Sequence, residues 1–293
     1  MTVQLHEEQL GTLDLGPLRP SADVRHCNAA GYIVTGWEIG FPAERAVVQN
    51  RALADGVFDS TQFFGARAVS MAITLDVNKQ DPQLAIDDLT AYMTPHRRPR
   101  LSWVIPGSTI ERSLLVRGVD APLSIAGRQA HVISASFVGV NGVIESPVET
   151  VIEIRPGFES EQGRTYDLLF DRVYPPSLGI GQRIARNEGN EVADWRATIF
   201  GPAVNPILTI NGIDISFSEN GGLTLLAGES VTIDTLNRTI FLNNDPSESR
   251  YDRVNFTEWS WESVRLQPGD NVIRYEEPTM SGSCSFAYRS AWL

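Results

Sequence analysis

The sequence has little of what catalysis and metal binding require. It contains two cysteines, Cys27 and Cys284, and only four histidines among 293 residues. No HExxH motif, paired CxxC, G-x-S-x-G elbow or complete dinucleotide fingerprint is present, although each of these chemistries needs its residues at such fixed spacings. We therefore predict that the chain is not an enzyme and that it binds no catalytic metal ion and no cofactor.

Lysine is nearly absent as well. Lys79 is the only one, whereas Lys and Arg together number 24. Arginine can pair bidentately where lysine cannot, but so extreme a ratio indicates a GC-rich coding genome rather than a functional demand. The two cysteines lie far apart in sequence, so we expect two reduced thiols and no disulfide.

Basic charge and long apolar runs are also scarce. The 36 acidic side chains outnumber the basic ones and give a net charge of -12, which argues against nonspecific binding of nucleic acid, since Lys and Arg supply most of that affinity. No apolar run approaches the ~20 residues of a membrane helix, and the first residues lack the features of a secretory signal. We expect no membrane insertion and a protein that is made and kept in a cytoplasm.

The first half of the chain has the pattern of β-structure. Residues 67–77 place Val69, Met71, Ile73, Leu75 and Val77 on one face, which predicts a long, half-buried strand. Further strands are predicted at 3–5, 32–39, 101–105, 113–117, 131–138 and 150–154. The segment 43–54 is left open between a helix and an extended arm, because its apolar residues follow no clear period.

One helix is predicted at 82–94. Asp81 is placed as its N-cap and Pro82 at its first position, and the helix ends before Pro95. Ile86, Leu89 and Met93 fall on one face, which we expect to pack on a sheet.

The second half alternates from Trp195 to Leu293, with turn residues at spacings of roughly 8 to 12, as is typical of an antiparallel sandwich. Pro156 and Gly157 interrupt the alternation and predict two domains, 1–155 and 156–293. Residues 158–194 carry the least pattern, and we expect an interaction or arm element there.

An aromatic cluster near residue 260 is the one candidate for ligand binding. Trp259 and Trp261 would share one face of a strand and could stack on a sugar ring. They are candidate surface-binding aromatics, with packing or a protein interface as the alternative.

An ordered set of motifs supports a family resemblance. The second half contains Gly228-x-x-Val-x-Ile-Asp234, Arg238-Thr-Ile-x-Leu-Asn243, Pro268-Gly-Asp-Asn271 and Tyr288-Arg-x-x-Trp292. This set resembles the C-terminal galectin-like domain of siphophage distal tail proteins, also called Dit-like minor tail or tail-tip proteins. The segments 36–38 and 55–67 are similar to the N-terminal belt domain of that family. The resemblance implies a mainly β fold: a β-rich belt domain with one α-helix, followed by a galectin-like antiparallel β-sandwich.

The resemblance also implies a structural role in a virion. Belt domains of this family associate into a ring, commonly a hexamer, that joins the tail tube to the tail-tip hub and tape measure proteins. The outer domain is a platform for fibres or receptor-binding proteins. We would then expect the chain at the distal end of the tail, assembled in the host cytoplasm, with DNA only passing through the lumen of the ring.

The aromatic-rich block 55–67 is our prediction for the ring interface, with Phe58, Phe63, Phe64 and Arg67 as the candidate residues. An acidic ring would let DNA slide without sticking. The rival hypothesis is a carbohydrate-binding or receptor-binding tail component that uses the face of Trp259 and Trp261.

Overall fold

The computed structural model describes residues 2–19, 26–45, 49–50, 57–58, 63–125, 130–156 and 181–293. These residues are mainly β-strand with one α-helix, as the sequence predicted. They divide into two compact units, the first Met1–Pro147 with Trp292–Leu293 and the second Val148–Ala291.

The elements of the first unit are β1 (Val3–Glu7), β2 (Gly11–Asp14), β3 (Tyr32–Ile39), β4 (Glu44–Arg45), β5 (Gln49–Asn50), β6 (Val57–Phe58), β7 (Phe63–Phe64), β8 (Arg67–Asp76), α1 (Pro82–Tyr92), β9 (Arg100–Val104), β10 (Glu111–Asp120), β11 (Leu123–Ile125), β12 (Ala130–Gly139) and β13 (Ile144–Glu145).

The strands of the second unit are β14 (Thr150–Ile154), β15 (Gln182–Asn187), β16 (Trp195–Phe200), β17 (Ala203–Val204), β18 (Ile207–Ile210), β19 (Ile213–Ser216), β20 (Thr224–Leu225), β21 (Ser230–Asp234), β22 (Thr239–Leu242), β23 (Gly269–Glu276) and β24 (Ser283–Tyr288), and β25 (Ala291–Trp292) follows. Short 3-10 turns lie at Glu219–Gly221 and Tyr251–Arg253.

The first unit is built on antiparallel strands in the order β2-β1-β9-β10-β12-β8-β3. The segment that follows β2 is hydrogen-bonded to both β1 and β3. The Val3 amide of β1 donates to Gly16 O at 2.8 Å, and the Val34 amide of β3 donates to Pro17 O at 3.1 Å. The apolar side chains that point inward, among them Leu5, Ile73 and Phe137, form one buried cluster. These strands therefore enclose a core of their own.

The long strand β8 confirms the predicted alternation, with Val69, Met71, Ile73 and Leu75 all buried. The expectation that it is half-buried throughout was wrong at its C-terminal end. Thr74 and Asp76, on the opposite face, are buried there too, and Asp76 accepts hydrogen bonds from the backbone and side chain of Asn78.

Helix α1 begins where the sequence predicted. The carboxylate of Asp81 accepts from the Gln83 amide at 2.8 Å, and Pro82 occupies the first helical position. The buried face consists of Ala85, Leu89 and Tyr92, so it is centred beside the predicted stripe of Ile86, Leu89 and Met93. The helix ends at Tyr92, slightly before the predicted residue 94.

The second unit is an antiparallel β-sandwich, as predicted. One sheet has the order β14-β24-β16-β21-β22 and the other β15-β23-β18-β19, with β17 and β20 paired separately. Trp195 at the start of β16 is buried, stacks on Phe286 of the neighbouring strand β24 at a centroid distance of 5.0 Å, and donates its indole N–H to Val264 O at 2.7 Å. Stacking and a hydrogen bond therefore both hold the indole of Trp195 in place.

The chain divides between Pro147 and Val148, N-terminal to the boundary predicted at 155/156. Strand β14 exists where the sequence predicted it, but it pairs with β24, with Ile152 opposite Phe286. Alternation predicts a strand without saying which sheet the strand joins. Strand β15 lies inside the stretch 158–194, for which the sequence predicted an interaction or arm element, and residues 157–180 lie outside the described residues.

Candidate assembly interface

Strands β3 and β8 continue beyond their sheet as a two-stranded ribbon. The Ala43 amide donates to Ala66 O at 3.1 Å; β4 then pairs with β7 and β5 with β6, both antiparallel. We call the described residues 40–45, 49–50, 57–58 and 63–66 the ribbon. Of the two alternatives that the sequence left open for 43–54, the described residues follow the extended one.

Three of the four predicted interface residues lie on this ribbon. Phe58 is in β6 and Phe63 in β7, and the positions of their side chains lie outside what is described. Phe64 is 44% exposed and meets the 71% exposed Phe41 edge to face at 6.1 Å. Residues 55–56 and 59–62 of the predicted block are outside the described residues.

Phe41 was missed in the sequence analysis. A signal was present, since Phe41 follows the strand Tyr32–Ile39 by two residues and keeps its alternation beyond Gly40. Together the exposed rings of Phe41 and Phe64 form an apolar surface at the base of the ribbon. Exposed aromatic side chains of this kind are enriched at protein interfaces.

Arg67, the fourth predicted residue, lies at the start of β8 and is buried, with 4% of its surface exposed. Its Nε–H donates to Gly142 O at 2.9 Å, whereas Nη2 is buried without a hydrogen-bond partner. Burial lowers the pKa of its guanidinium, because a low dielectric disfavours the charged form. Its role at an interface stays a prediction.

The outer face of β3, β8 and β12 has unusually small side chains. We call it the small-residue face; its residues include Gly36, Ala68, Ser70, Ala72, Ser134 and Ser136. Two adjoining shallow depressions of about 310 and 330 Å³ lie along it. Among the described residues that line them, Glu38 is the only charged one, and none is basic.

The aromatic cluster near residue 260 is arranged differently from the prediction. Trp259 and Trp261 do not share a strand face: they lie in turns between β22 and β23, and only 6% and 8% of their surfaces are exposed. They pack with Tyr251 and Phe256 at centroid distances of 4.6 to 6.0 Å. Because both indoles are enclosed, they offer no open platform for a sugar ring.

Potential metal ligands and the buried thiol were located in the described part of the chain. No group of three or more His, Cys, Asp or Glu side chains there is placed to hold a metal ion. Cys284 is fully buried, and burial raises the pKa of its thiol, so little of the nucleophilic thiolate would form. Among the described helices, none has the length and apolar character needed to cross a membrane.

Comparison with known proteins gives a likeness in structure and none in sequence. No protein-family model matches the chain, and no curated protein matches it. Among solved structures it resembles the Dit protein of phage SPP1, a paradigm of the hub adsorption apparatus in phages that infect Gram-positive bacteria, with a TM-score of 0.56, 10% identity and 100% of both chains covered. The two proteins share a fold.

The phage p2 baseplate in its activated conformation also matches, in structures with Sr and with Ca. The TM-scores are 0.48 and 0.47, both at 9% identity, with 98% of this chain and 97% of the other covered. At identities this low, the likeness to the SPP1 protein establishes the fold, including the mainly β architecture that the sequence predicted.

Proposed function

We propose that this chain is a structural protein of a bacteriophage tail: a distal tail protein of a long, non-contractile-tailed phage. In this proposal it forms a ring, with six copies as the expected number, that joins the tail tube to the hub and tape measure proteins. The observation that carries the proposal is the shared fold with the SPP1 Dit protein over the whole length of both chains.

The first unit supplies the proposed ring contacts. The ribbon extends from the β3–β8 hairpin, and the exposed Phe41 and Phe64 at its base have no described neighbour that covers them fully. A ring of identical copies uses heterologous contacts, in which one patch of each copy meets a different patch of the next. The ribbon of one copy would then pack on a different surface of its neighbour.

The small-residue face supports a channel for DNA. It lacks basic side chains among the residues that line its depressions, and it carries the carboxylate of Glu38. Phosphate groups bind chiefly through Lys and Arg, so such a face would let DNA pass without holding it.

The second unit would be the outward platform for fibres or receptor-binding proteins. It is a self-contained sandwich, and we propose no catalytic role for it. The rival hypothesis of sugar binding depended on an exposed face of Trp259 and Trp261, and the burial of both rings leaves it without that support.

The test is the solution mass of the purified protein, measured by light scattering, with negative-stain imaging of the same peak. Rings of about six copies with a central hole would support the proposal. A strict monomer at high concentration, also in the presence of the tail tube protein, would contradict it. Binding to a glycan array, abolished by Trp261→Ala, would revive the sugar-binding rival.

A further inference from the structure

Residues 140–145, which we call the support segment, lie against the base of the ribbon. Gly142 is so close to the ribbon that an added Cβ atom would come within 2.4 Å of Gly65 O. The carbonyl of Gly142 also accepts from Nε–H of Arg67 at 2.9 Å. Glycine in a sheet often marks such a close approach of two backbones. Whatever holds the support segment in place therefore also holds the base of the ribbon.

The support segment has little regular structure of its own. It includes β13, which has two residues and one register pair with β10, Ser113 opposite Glu145. The Glu145 carboxylate accepts from Arg100 Nη1 at 2.6 Å, and the Glu145 carbonyl accepts from the Ser113 hydroxyl at 3.1 Å. Strands with few neighbours are only marginally stable. The order of β13 therefore depends on the strands it pairs with, which are β10 and β25.

Strand β25 brings Trp292 to this part of the first unit. Trp292 and Leu293 belong to the first unit although they follow the second unit in the sequence. The guanidinium carbon of Arg112, on β10, lies 3.5 Å from the centroid of the Trp292 ring. This is the geometry of a cation–π contact. Trp292 thus joins β25 to β10, the strand that also pairs with β13.

We infer that Trp292 is a positioning residue for the ribbon. It holds β25 against β10 through Arg112, β25 pairs with β13, and the support segment contacts the ribbon at Gly142. Energetic coupling is carried by contiguous packed and hydrogen-bonded contacts, and these contacts are contiguous from Trp292 to the ribbon. For assembly the inference rests on the proposed function, in which the ribbon makes the contact between copies.

The first test is amide hydrogen exchange of the dilute, dissociated protein, read by mass spectrometry, so that the result does not depend on a ring. The reporters are the hydrogen-bonded amides of Gly65 and Val140. In Trp292→Ala we expect both to exchange about tenfold faster. Trp292→Phe keeps an aromatic ring for Arg112 and should stay close to the wild type. The hydrogen-bonded amide of Asp76, at the opposite end of β8, is the internal reference and should not change.

Two further variants test separate steps of this path. Arg112→Met removes the cation and should change exchange in the same direction as Trp292→Ala; it carries the test alone if Trp292→Ala does not fold. Gly142→Ala adds a methyl group against Gly65 O and should speed exchange of the Gly65 amide directly. Unchanged exchange at Gly65 in the Trp292 and Arg112 variants would overturn the inference. Equally faster exchange at Asp76 would overturn it too, because that marks a general loss of stability.

The second test is assembly. We expect Trp292→Ala to need a roughly tenfold higher protein concentration to reach the assembled mass. Asp81→Ala is the matched control, since it lowers the stability of the same unit by removing the N-cap of α1, and it should leave assembly unaltered. Equal assembly of the two variants would overturn the positioning role. A wild type that never assembles would contradict the proposed function and leave the exchange result standing.

Discussion

Two buried ionic groups, Glu277 in the second unit and Arg67 in the first, differ in how far they are hydrogen-bonded. In the second unit Glu277 is 5% exposed, and its carboxylate accepts hydrogen bonds from the Thr279 hydroxyl at 2.7 Å and from the amides of Thr279, Ser281 and Gly282. In the first unit Arg67 is equally buried but lacks a partner for Nη2. The Glu277 carboxylate accepts hydrogen bonds within one turn of its own unit, whereas Nη2 of the Arg67 guanidinium has no acceptor.

Exposed apolar side chains also differ between the units in how they are grouped. Phe41 and Phe64 are in mutual contact at the base of the ribbon. In the second unit the exposed Leu226 and Leu236 lie in separate turns, and the exposed Ile184 and Val272, which lie opposite each other on β15 and β23, are aliphatic rather than aromatic. Single exposed apolar residues are normal, whereas exposed aromatic side chains are enriched at protein interfaces. We therefore expect changes in the first unit to affect assembly and changes in the second to affect stability.

The largest expected effect is the loss of assembly on replacing Phe63 and Phe64 together by Asp. Two carboxylates at the base of the ribbon would have to be desolvated without partners in any contact made there. We expect only protomer mass by light scattering, with far-UV circular dichroism unchanged.

Leu236→Asp is the matched control, since Leu236 is 45% exposed, close to the 44% of Phe64. It should leave the mass of the assembly as it is. If the double Phe variant still assembles like the wild type, the interface assignment is wrong and the contrast between the units loses its main support.

A smaller effect is expected in the second unit from Glu277→Gln. The substitution replaces a carboxylate that accepts four hydrogen bonds with a neutral amide. A single hydrogen bond to a charged group contributes roughly 1.5–3 kcal/mol to the free energy of unfolding. We expect Glu277→Gln to lower the free energy of unfolding by about 2 kcal/mol at neutral pH, measured by urea denaturation, and to leave assembly unchanged.

This difference should depend on pH. Burial by itself raises the pKa of Glu277, but the hydrogen bonds from Thr279, Gly282 and Ser281 together outweigh it and lower the pKa below its ordinary value of 4.5. A lowered pKa in the folded state means that the carboxylate stabilises fully above about pH 4.5 and loses this contribution as the pH falls through the folded pKa. The difference in free energy of unfolding between the wild type and Glu277→Gln should therefore become smaller at acidic pH.

The exposed Glu258 provides the control for both measurements. Glu258→Gln should change stability by less than about 0.5 kcal/mol. A gap for Glu277→Gln that stays constant from neutral pH to pH 3 would mean that its carboxylate does not hold the turn in the way the hydrogen bonds indicate.

Periodicity in the sequence was enough to predict the longer elements of the first unit. The alternation of Val69, Met71, Ile73 and Leu75 located β8, and the pair Asp81-Pro82 located the start of α1, because both signals are local. The membership of β14 in the second unit depends on pairing with β24, which is distant in sequence, and no local signal carries it.

The candidate site was predicted less completely. The aromatic residues of 55–67 predicted Phe64 as an interface residue. Phe41 lies outside that segment, and its contact with Phe64 arises only from the pairing of the ribbon strands. The burial of Trp259 and Trp261 depends on their packing with Tyr251 and Phe256. The sequence shows where aromatic side chains occur, whereas tertiary packing determines whether they are exposed.

The smallest effect is expected from Asp81→Ala, which tests whether stability and assembly are separate properties of the first unit. The Asp81 carboxylate accepts from the Gln83 amide at the start of α1, and loss of such an N-cap costs about 1 kcal/mol. Asp87→Ala, on the exposed side of the same helix, is the control and should change stability by less than about 0.5 kcal/mol. We expect Asp81→Ala to lower Tm by a few degrees and to leave the assembled mass unaltered. If this small loss of stability also disrupted the assembly, weaker assembly of a first-unit variant could no longer be assigned to a lost contact at the ribbon. Only variants whose Tm is unchanged would then be informative about the interface.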